Sequence, residues 1–293
     1  MPIERVGLVA KSRLDAAAVV LTELAGWLHD RKIVPVFEAA TAALTTLGTA
    51  VETTSRDELP KACDLLIVLG GDGTLIGMAG RIAQAGASIP ILGVNFGSLG
   101  FLTEITLPEL YPSLESVLAG TALIDYRMML RGRTLRGGEI FAERFVLNDA
   151  VITKGALSRI IDLAVWVDDQ AIMRVRADGL IAASPTGSSA YNLAAGGPIV
   201  HPAVDALLLT PIAPHMLTNR PVVIPGGSEV RVEPMMDASN DKVFVTFDGQ
   251  SGHPLQAGDI VSIRRAERPL PLVRAPTRTY FDVLRQKLKW GER

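Results

Sequence analysis

Asp72 stands alone among glycines. In the stretch DLLIVLGGDGTLIG, residues 64–77, Gly70, Gly71 and Gly73 clear side chains from around its carboxylate, and Thr74 follows. Glycine lets a backbone turn sharply and lets a ligand approach closely. The amides of such a turn, just before a helix starting near Thr74, could cradle phosphate oxygens. Asp72 would repel those phosphates unless it took a proton or a metal, so it looks placed for chemistry. The plainer reading is a strand-to-helix turn capped by Asp72, but turns rarely need three glycines around one acid.

Other phosphate devices are missing. There is no G-x-x-x-x-G-K-[ST], no G-x-G-x-x-G opening a helix after the first strand, and no protein-kinase motif set. A second stretch, RADGLIAASPTGSSAYNLAAGGPIVHP at residues 176–202, carries Asp178-Gly179, the hydroxyls of Ser184, Thr186, Ser188 and Ser189, the ring of Tyr191 and a glycine pair. Such groups suit a ligand with sugar, base and amide parts. They equally suit a helix capped near Ser188 with Tyr191 in the core. A third stretch, LNDAVITKGALSRIIDL, places Asn148 and Asp149 side by side at a strand end, where they could bind a ribose diol or form an Asx turn. Lys154 and Arg159, taken alone, read as solvated surface charges.

The elements that must hold these residues fall into two halves. Up to about residue 122, strand-like and helix-like segments alternate, which indicates an α/β layer with a parallel sheet. RVGLVA, KIVPVFE, DLLIVLG and PILGVNFG read as strands, with Pro35 arguing for an edge or irregular position in the second. Asp15 can cap a helix running to His29, with Val19, Val20, Leu24, Trp27 and Leu28 on its apolar side. LPELYPSLESVLAG reads as a helix with Pro108 in its first turn and Gly120 at its end. From 123 to 275 short β-branched segments separated by Gly, Pro, Asp and Asn indicate an all-β domain; YRMMLRGRTL and FVLNDAVITK each read as one strand, and VDDQA as a tight hairpin. Residues 276–293 read as a helix with Phe281, Leu284, Leu288 and Trp290 on one face, returning to the α/β part.

Composition narrows the class. The chain has 293 residues, 48% apolar and 20% charged, enough for a core without staples. A formal net charge of -2 gives no basic field for nucleic acid. The one cysteine, Cys63, reads as a small core residue and argues for a reducing compartment. The four histidines lack metal-ligand spacing, and the charged start MPIERVGLVAK is unlike a signal peptide. No apolar run approaches membrane-spanning length. A cytoplasmic protein with no membrane contact is the expectation.

The blocks also have an order: GGDGT, NFGSLGFLTE, LND, ADGLIAASPTGSSAYNLAAGGPIVHP, NRPVVIP and FDGQ. From about residue 65 to 260 this closely resembles the NAD kinase family, with a looser echo in the terminal YFDVLRQKLKWG. GGDGT alone is shared with diacylglycerol and sphingosine kinases and, in variant form, with phosphofructokinases; the block from Asp178 to Pro202 singles out NAD kinases. The resemblance implies an N-terminal α/β domain, a C-terminal β-sandwich-like domain, and phosphoryl transfer from ATP, carried with Mg²⁺ or another divalent cation, to the 2′-hydroxyl of the adenosine ribose of NAD. It implies that Asp72 accepts the hydroxyl proton, that Gly73 lies at the substrate, and that Phe101 lines the pocket. It puts Asn148 and Asp149 at the ribose and adenine part. Arg159, Arg176, Asp178, the run Ser189, Ala190, Tyr191, Asn192, Leu193, Ala194, and Gln250 fall on dinucleotide-contact positions. Asp149 stands where the family commonly has Glu, Ser189 where it has Thr, and Ala194 where it has Ser. A basic residue at Arg176 resembles forms that prefer NAD to NADH. A homodimer or homotetramer is implied. The rival readings are a lipid or sugar kinase built on the same loop, and a non-catalytic dinucleotide sensor.

Overall fold

The computed structural model describes residues 2–11, 16–47, 51–97, 99–155, 158–216, 218–236 and 242–290. Its elements run β1 (Arg5–Ala10), α1 (Ala17–Asp30), β2 (Val34–Glu38), α2 (Ala39–Ala42), β3 (Glu52–Thr54), β4 (Leu65–Leu69), α3 (Asp72–Gln84), β5 (Ile91–Asn95), β6 (Ile105–Thr106), α4 (Leu110–Leu118) and β7 (Ile124–Arg127). Next come β8 (Leu130–Arg136), β9 (Glu139–Val146), β10 (Asp149–Lys154), β11 (Ile161–Val167), β12 (Gln170–Ala177) and β13 (Gly179–Ala183). A single helical turn, α5 (Tyr191–Ala194), precedes β14 (Ala206–Ile212), β15 (Val222–Pro225), β16 (Val230–Met235), β17 (Val243–Phe247), β18 (Ser251–Leu255) and β19 (Ile260–Arg265). The chain closes with β20 (Leu270–Val273) and α6 (Tyr280–Leu288).

Two compact units result. One joins the chain up to Tyr126 with the chain from Leu270 onward, and the other is Arg127–Pro269. The joints therefore differ from those expected at 122/123 and 275/276. The first joint falls later because β7 belongs to the first unit's sheet, and the second falls earlier because β20, a short apolar strand, returns to that sheet and pairs parallel with β5, Leu272 opposite Ile91.

The first unit's sheet has the order β3-β2-β1-β4-β5-β20-β7, with β6 on β5. The pairs β1–β2, β1–β4, β4–β5, β2–β3 and β5–β6 are parallel. Its inner strands are apolar on both faces because helices cover the sheet: all five residues of β4 and of β5 are buried. Pro35 is not on an edge strand, since β3 pairs outside β2. It is tolerated because the β2–β3 ladder begins only at Val36, while Val34 donates inward to Glu4. Helix α1 buries Ala17, Leu21, Leu24, Ala25 and Leu28, whereas Val19 is exposed, so the apolar face is rotated from the expected one. Asp15 lies outside the described residues. Helix α4 is entered through a 3₁₀ turn, Leu107–Glu109, with a capping box between Thr106 and Glu109. Helix α6 has its own capping box, Thr279 with Asp282, and buries Val283 and Leu284; Phe281 and Trp290 are exposed rather than part of the buried face. Arg274 reaches the buried Glu104, and Arg278 reaches Glu109 and the carbonyl of Glu104, tying the returning segment to the chain that follows β5.

The second unit is a sandwich of two six-stranded sheets, β15-β14-β13-β10-β17-β18 and β12-β11-β16-β19-β8-β9. All recorded pairs in both are antiparallel, and one apolar core draws on both inner faces, Ile152, Leu180 and Val245 from the first with Leu163, Val232 and Ile263 from the second. The tight hairpin at Asp168-Asp169 joins β11 to β12, with Asp168 at φ 52. YRMMLRGRTL is divided between β7 and β8, which belong to different sheets, and FVLNDAVITK between β9 and β10, so Leu147 and Asn148 form a turn rather than strand interior.

Candidate functional site

In the first unit the site grows from the carboxyl end of β4, where ligands of open parallel sheets gather. The strand is held on both sides, Lys11 donating to Leu69 at 2.9 Å and Gly70 to Val94 at 2.8 Å. Gly70 has a steric reason to be glycine: a Cβ there would lie 3.0 Å from the Lys11 side chain. Gly71 and Gly73 have none, because an added Cβ would meet nothing within 4 Å at either, and Gly71 has an ordinary φ of -97. Their lack of side chains leaves the start of α3 open to whatever approaches it. Thr74, partly buried, donates its amide back to Gly71 at 3.0 Å.

Asp72 is the first residue of α3, and it is not an isolated acid. Oδ2 accepts from the amide of Phe101 at 2.8 Å; Oδ1 accepts from the amides of Leu102 at 3.1 Å and Thr103 at 3.0 Å and from the Thr103 hydroxyl at 2.9 Å. The loop closes so tightly that a Cβ on Gly100 would stand 2.1 Å from Asp72 Oδ1 and 2.2 Å from Thr103 Oγ1. Asp72 thus does not cap its own helix. Its carboxylate organises the loop after β5, and Oδ2 keeps acceptor capacity, having one donor among the described residues. Phe101 is partly exposed, with Lys287 of α6 5.7 Å from its ring centre. Sequence reasoning gives no functional weight to Gly100 and Thr103, although both lie in the block NFGSLGFLTE.

In the second unit Asn148 and Asp149 open β10, and neither side chain hydrogen-bonds a described residue. An Asx turn is therefore not what they form. Asp248 supplies the cap instead: its carboxylate accepts from the amides of Leu147 and Asn148 at 2.7 Å each and of Asp149 at 3.0 Å. Asp149 is 5% exposed. Burial, and then the charge of Asp248, push its carboxyl up to about 7. Burial likewise raises Asp248 to about 6, against the lowering pull of its three amide donors.

The hydroxyl-rich turn abuts the same dipeptide. Ser184 donates its amide to Asn148 O and its hydroxyl to Leu147 O, and accepts from Gly187. A Cβ on Gly187 would lie 2.2 Å from Asn148 O, so only glycine lets the turn pack there. Thr186 is buried with a hydroxyl that has no partner among the described residues, which makes it a site candidate that the motif pattern leaves unassigned. The Ser189 hydroxyl reaches Thr186 O at 3.4 Å. Tyr191 is 46% exposed, which rules out the core reading of its ring. Ala190 and Leu193 are partly buried and Ala194 is exposed. Asn192 behaves differently. It is fully buried, gives both amide hydrogens to Ser188 O and Pro198 O, and accepts from Thr210 at 2.6 Å. It holds the turn rather than facing a ligand.

Asp178 sits where the chain passes from β12 in one sheet to β13 in the other, 3.6 Å from Lys154 Nζ. Lys154 also donates to Ser158 O, so it is a bridging group and not a solvated charge. Arg159 and Arg176 are exposed and form no ion pair among the described residues. Gln250 is exposed in the β17–β18 turn, donating its amide to Phe247 O at 2.9 Å. Cys63 is buried with its thiol pushed up to about 12 by burial, the signature of an inert core residue. The described residues contain no group of three or more His, Cys, Asp or Glu able to hold a metal ion. None of the described helices is long and apolar enough to cross a membrane.

Residues 6–122 match the ATP-NAD kinase N-terminal domain and residues 147–275 match the ATP-NAD kinase C-terminal domain. The NAD kinase of Geobacter metallireducens is 48% identical over 99% of this chain and all of its own length. This chain belongs to the ATP-NAD kinase family. Two further NAD kinases, from Syntrophotalea carbinolica at 48% identity and Geotalea daltonii at 47%, align over 99% of this chain and the whole of theirs. Among solved structures, yeast NADH kinase complexed with NADH superposes with a TM-score of 0.90 at 24% identity, over 100% of this chain and 89% of that one. An NAD kinase from Archaeoglobus fulgidus in complex with ATP gives 0.71 at 23% identity, over 96% and 99%. At such identities the two structures establish the α/β-plus-sandwich fold of the family.

Proposed function

We propose that this chain transfers the terminal phosphoryl group of ATP to the 2′-hydroxyl of the adenosine ribose of NAD, giving NADP and ADP. The observation that carries the proposal is the Asp72 carboxylate at the start of α3, beside two glycines that nothing in the fold itself requires. The amides of Gly71 and Asp72 donate to no described residue, and they lie where an anion is favoured by the helix. Gly70, Gly71, Gly73 and Thr74 form the phosphate loop in this reading.

Phosphoryl transfer runs through a loose transition state, so positioning and charge neutralisation dominate. The bond from the terminal phosphorus to the bridging oxygen of ATP breaks, a bond to the ribose oxygen forms, and the hydroxyl proton passes to Asp72 Oδ2. A divalent cation, Mg²⁺ by preference, binds chiefly to substrate phosphates with one or two carboxylates; the loop's single acid fits a cation that arrives with ATP and offsets phosphate charge.

In the second unit Asn148 and Asp149 offer an unspent amide and carboxyl to the adenosine ribose. Arg159 and Arg176, which form no ion pair among the described residues, offer their cations to the dinucleotide, joined by Asp178, the turn from Ser189 to Ala194, and Gln250, with Phe101 as an apolar wall. Asn192 contributes by holding that turn. Residence in the cytoplasm and assembly as a homodimer or homotetramer belong to the same reading; sedimentation of the purified chain reads the second.

Incubation of the purified chain with ATP, Mg²⁺ and NAD, followed by a dehydrogenase-coupled assay for NADP, tests the proposal. NADP formation is the expected result. Phosphorylation of only a lipid or sugar acceptor would identify a different kinase on the same loop, and NAD binding without product would identify a sensor.

A further inference from the structure

The turn joining β17 to β18 carries a set of costs that its own folding does not need. Asp248 and Gly249 both have positive φ, 52 and 62, with Gln250 donating back to Phe247 O at 2.9 Å, the sense of a type I′ turn. Asn or Gly would fit the first of these positions at least as well, because left-handed backbone is a mild strain for Asp. The chain nevertheless places there an acid whose carboxyl is enclosed, and enclosing a charge is unfavourable. That acid reaches about 100 residues back in the sequence, to three successive amides, those of Leu147, Asn148 and Asp149. The contact is returned by the main chain, Asp248 N donating to Asp149 O at 2.9 Å. Strain and buried charge together persist where the surroundings over-determine them, and such places gather at functional sites.

We propose that Asp248 is a positioning residue for dinucleotide binding: its carboxylate pins the Leu147–Asp149 backbone in the turn that presents the Asn148 and Asp149 side chains. The inference rests on the reading of those two residues as ribose contacts. Its logic is one of exchange. If Asn148 or Asp149 capped the turn with its own side chain, as an Asx turn does, that group would be consumed. Asp248 satisfies all three amides from outside, and both side chains stay available. The same carboxylate also places a negative charge beside Asp149.

Among the described residues of β10, of its two neighbouring strands and of the turn over it, no charge other than Asp248 lies with Asp149 at that end. Asp149 lies opposite Ala183 of β13, and its neighbour Ala150 opposite Phe247 of β17. The remaining charged groups of the flanking elements are Lys154 on β10 itself, Asp178 before β13 and Lys242 before β17. All three gather at the far end, where Thr153 faces Gly179 and Lys154 faces Val243. The hydroxyl-rich turn over the dipeptide brings only Ser184, Thr186, Ser188 and Ser189. Asp149 therefore senses Asp248 more than any other ionisable group, in agreement with the causes of its raised carboxyl.

Two variants of the full chain separate shape from charge. Asp248→Asn keeps the size and removes the charge, setting an amide N–H against one of the three backbone donors. Asp248→Glu keeps the charge and displaces it by a methylene. The dissociation constant for NAD, read by calorimetry from pH 5.5 to 8.5, and kcat with saturating ATP and Mg²⁺ are the measurements. Both variants are expected to weaken NAD binding by about tenfold or more while kcat at saturation stays within about threefold. In the wild type, NAD affinity should strengthen as pH rises through about 7, where Asp149 ionises. The inflection should move to lower pH in Asp248→Asn and remain in Asp248→Glu. A residue with a merely structural role would lower the melting temperature and leave the inflection in place. Should Asp248→Asn fail to fold, loss of affinity in Asp248→Glu carries the test. Unchanged NAD affinity in a folded variant overturns the proposal. Asn148→Ala distinguishes the two possible failures: if it weakens NAD binding and neither Asp248 variant does, the positioning role alone is wrong, and if it has no effect, the ribose assignment falls and the positioning role with it.

Discussion

Thr103 gives two hydrogen bonds to one oxygen of Asp72, from its amide at 3.0 Å and from its hydroxyl at 2.9 Å. The threonine is fully buried, so no water substitutes for the hydroxyl if it is removed. Thr103→Val keeps the shape and the amide bond and deletes the other. Hydrogen bonds to charged groups contribute roughly 1.5–3 kcal/mol, and a loss of about that size in unfolding free energy is expected. Turnover should fall as well, by about tenfold, because catalytic carboxylates depend on fixed orientation. NAD affinity should not change. Urea titration and steady-state kinetics check the two parts, and a variant as stable as the wild type would remove the Thr103 hydroxyl from the account.

The two kinds of glycine around Asp72 should respond oppositely to alanine. At Gly100 a Cβ would be driven to 2.1 Å from Asp72 Oδ1, and the acid can retreat only by giving up the hydrogen bonds that hold it to residues 101–103. Gly100→Ala is expected to lower stability and activity together. At Gly71 a Cβ meets nothing, and φ of -97 suits alanine. Gly71→Ala should melt within a few degrees of the wild type yet raise KM for ATP by about tenfold or more, if the phosphates pass over that backbone. An unchanged KM for ATP would show that the phosphates lie elsewhere.

Asp72→Asn addresses the chemistry. A positioned base contributes about 10²–10⁴-fold to rate, and kcat should fall by about that factor while NAD still binds. The substitution also sets an amide donor against one of the loop's amides, so the melting temperature must be measured beside it. Near-normal turnover from a folded Asp72→Asn protein would end the assignment of Asp72 as the proton acceptor.

Legibility from sequence follows the distance over which each contact acts. The apolar strand, glycine turn and helix around Asp72 are local, and LLIVLGGDGT announces them. The four donors that hold the Asp72 carboxylate come from residues 101–103, about 30 positions away, and nothing in GGDGT points to them. Strand β14 escapes a sequence reading because ALLLTPI is a continuous apolar run, which periodicity cannot tell from a buried helix segment. Strand β20 is four residues whose partner, Ile91, lies far back in the chain, so composition alone does not place it in the first unit's sheet. Asp248 is hidden in the same way: FDGQ enters the sequence reading only as a block of the resemblance, with weight on Gln250, and the bond from Leu147 to Asp248 closes over 101 positions. Asn192 shows the converse. The resemblance puts it on a dinucleotide-contact position, while its buried amide is occupied by Ser188 O, Pro198 O and the Thr210 hydroxyl and holds the turn.

The buried Asp149, lying beside Asp248, makes stability depend on pH in a direction opposite to the usual carboxylate. Asp149 titrates at about 7 in the folded chain against an ordinary value of 3.8, through burial first and the charge of Asp248 second. Between those two values the folded state holds a proton that the unfolded state has released. The unfolded state binds fewer protons, so unfolding free energy falls as pH rises. The contribution of the protonated Asp149 is fully present below pH 3.8 and is lost as pH climbs through about 7. Above that point the fold carries an ionised acid beside Asp248. Asp149→Asn removes the charge with little change of shape, and it should stabilise the chain at pH 8 by on the order of a few kcal/mol, since each tenfold change in proton affinity is worth about 1.4 kcal/mol. The gain should shrink steadily as pH is lowered and be small by about pH 4.5. Urea unfolding of both proteins at half-unit steps from about pH 4.5 to 8.5 measures the difference, and a gap that does not vary with pH would mean that Asp149 is ionised throughout.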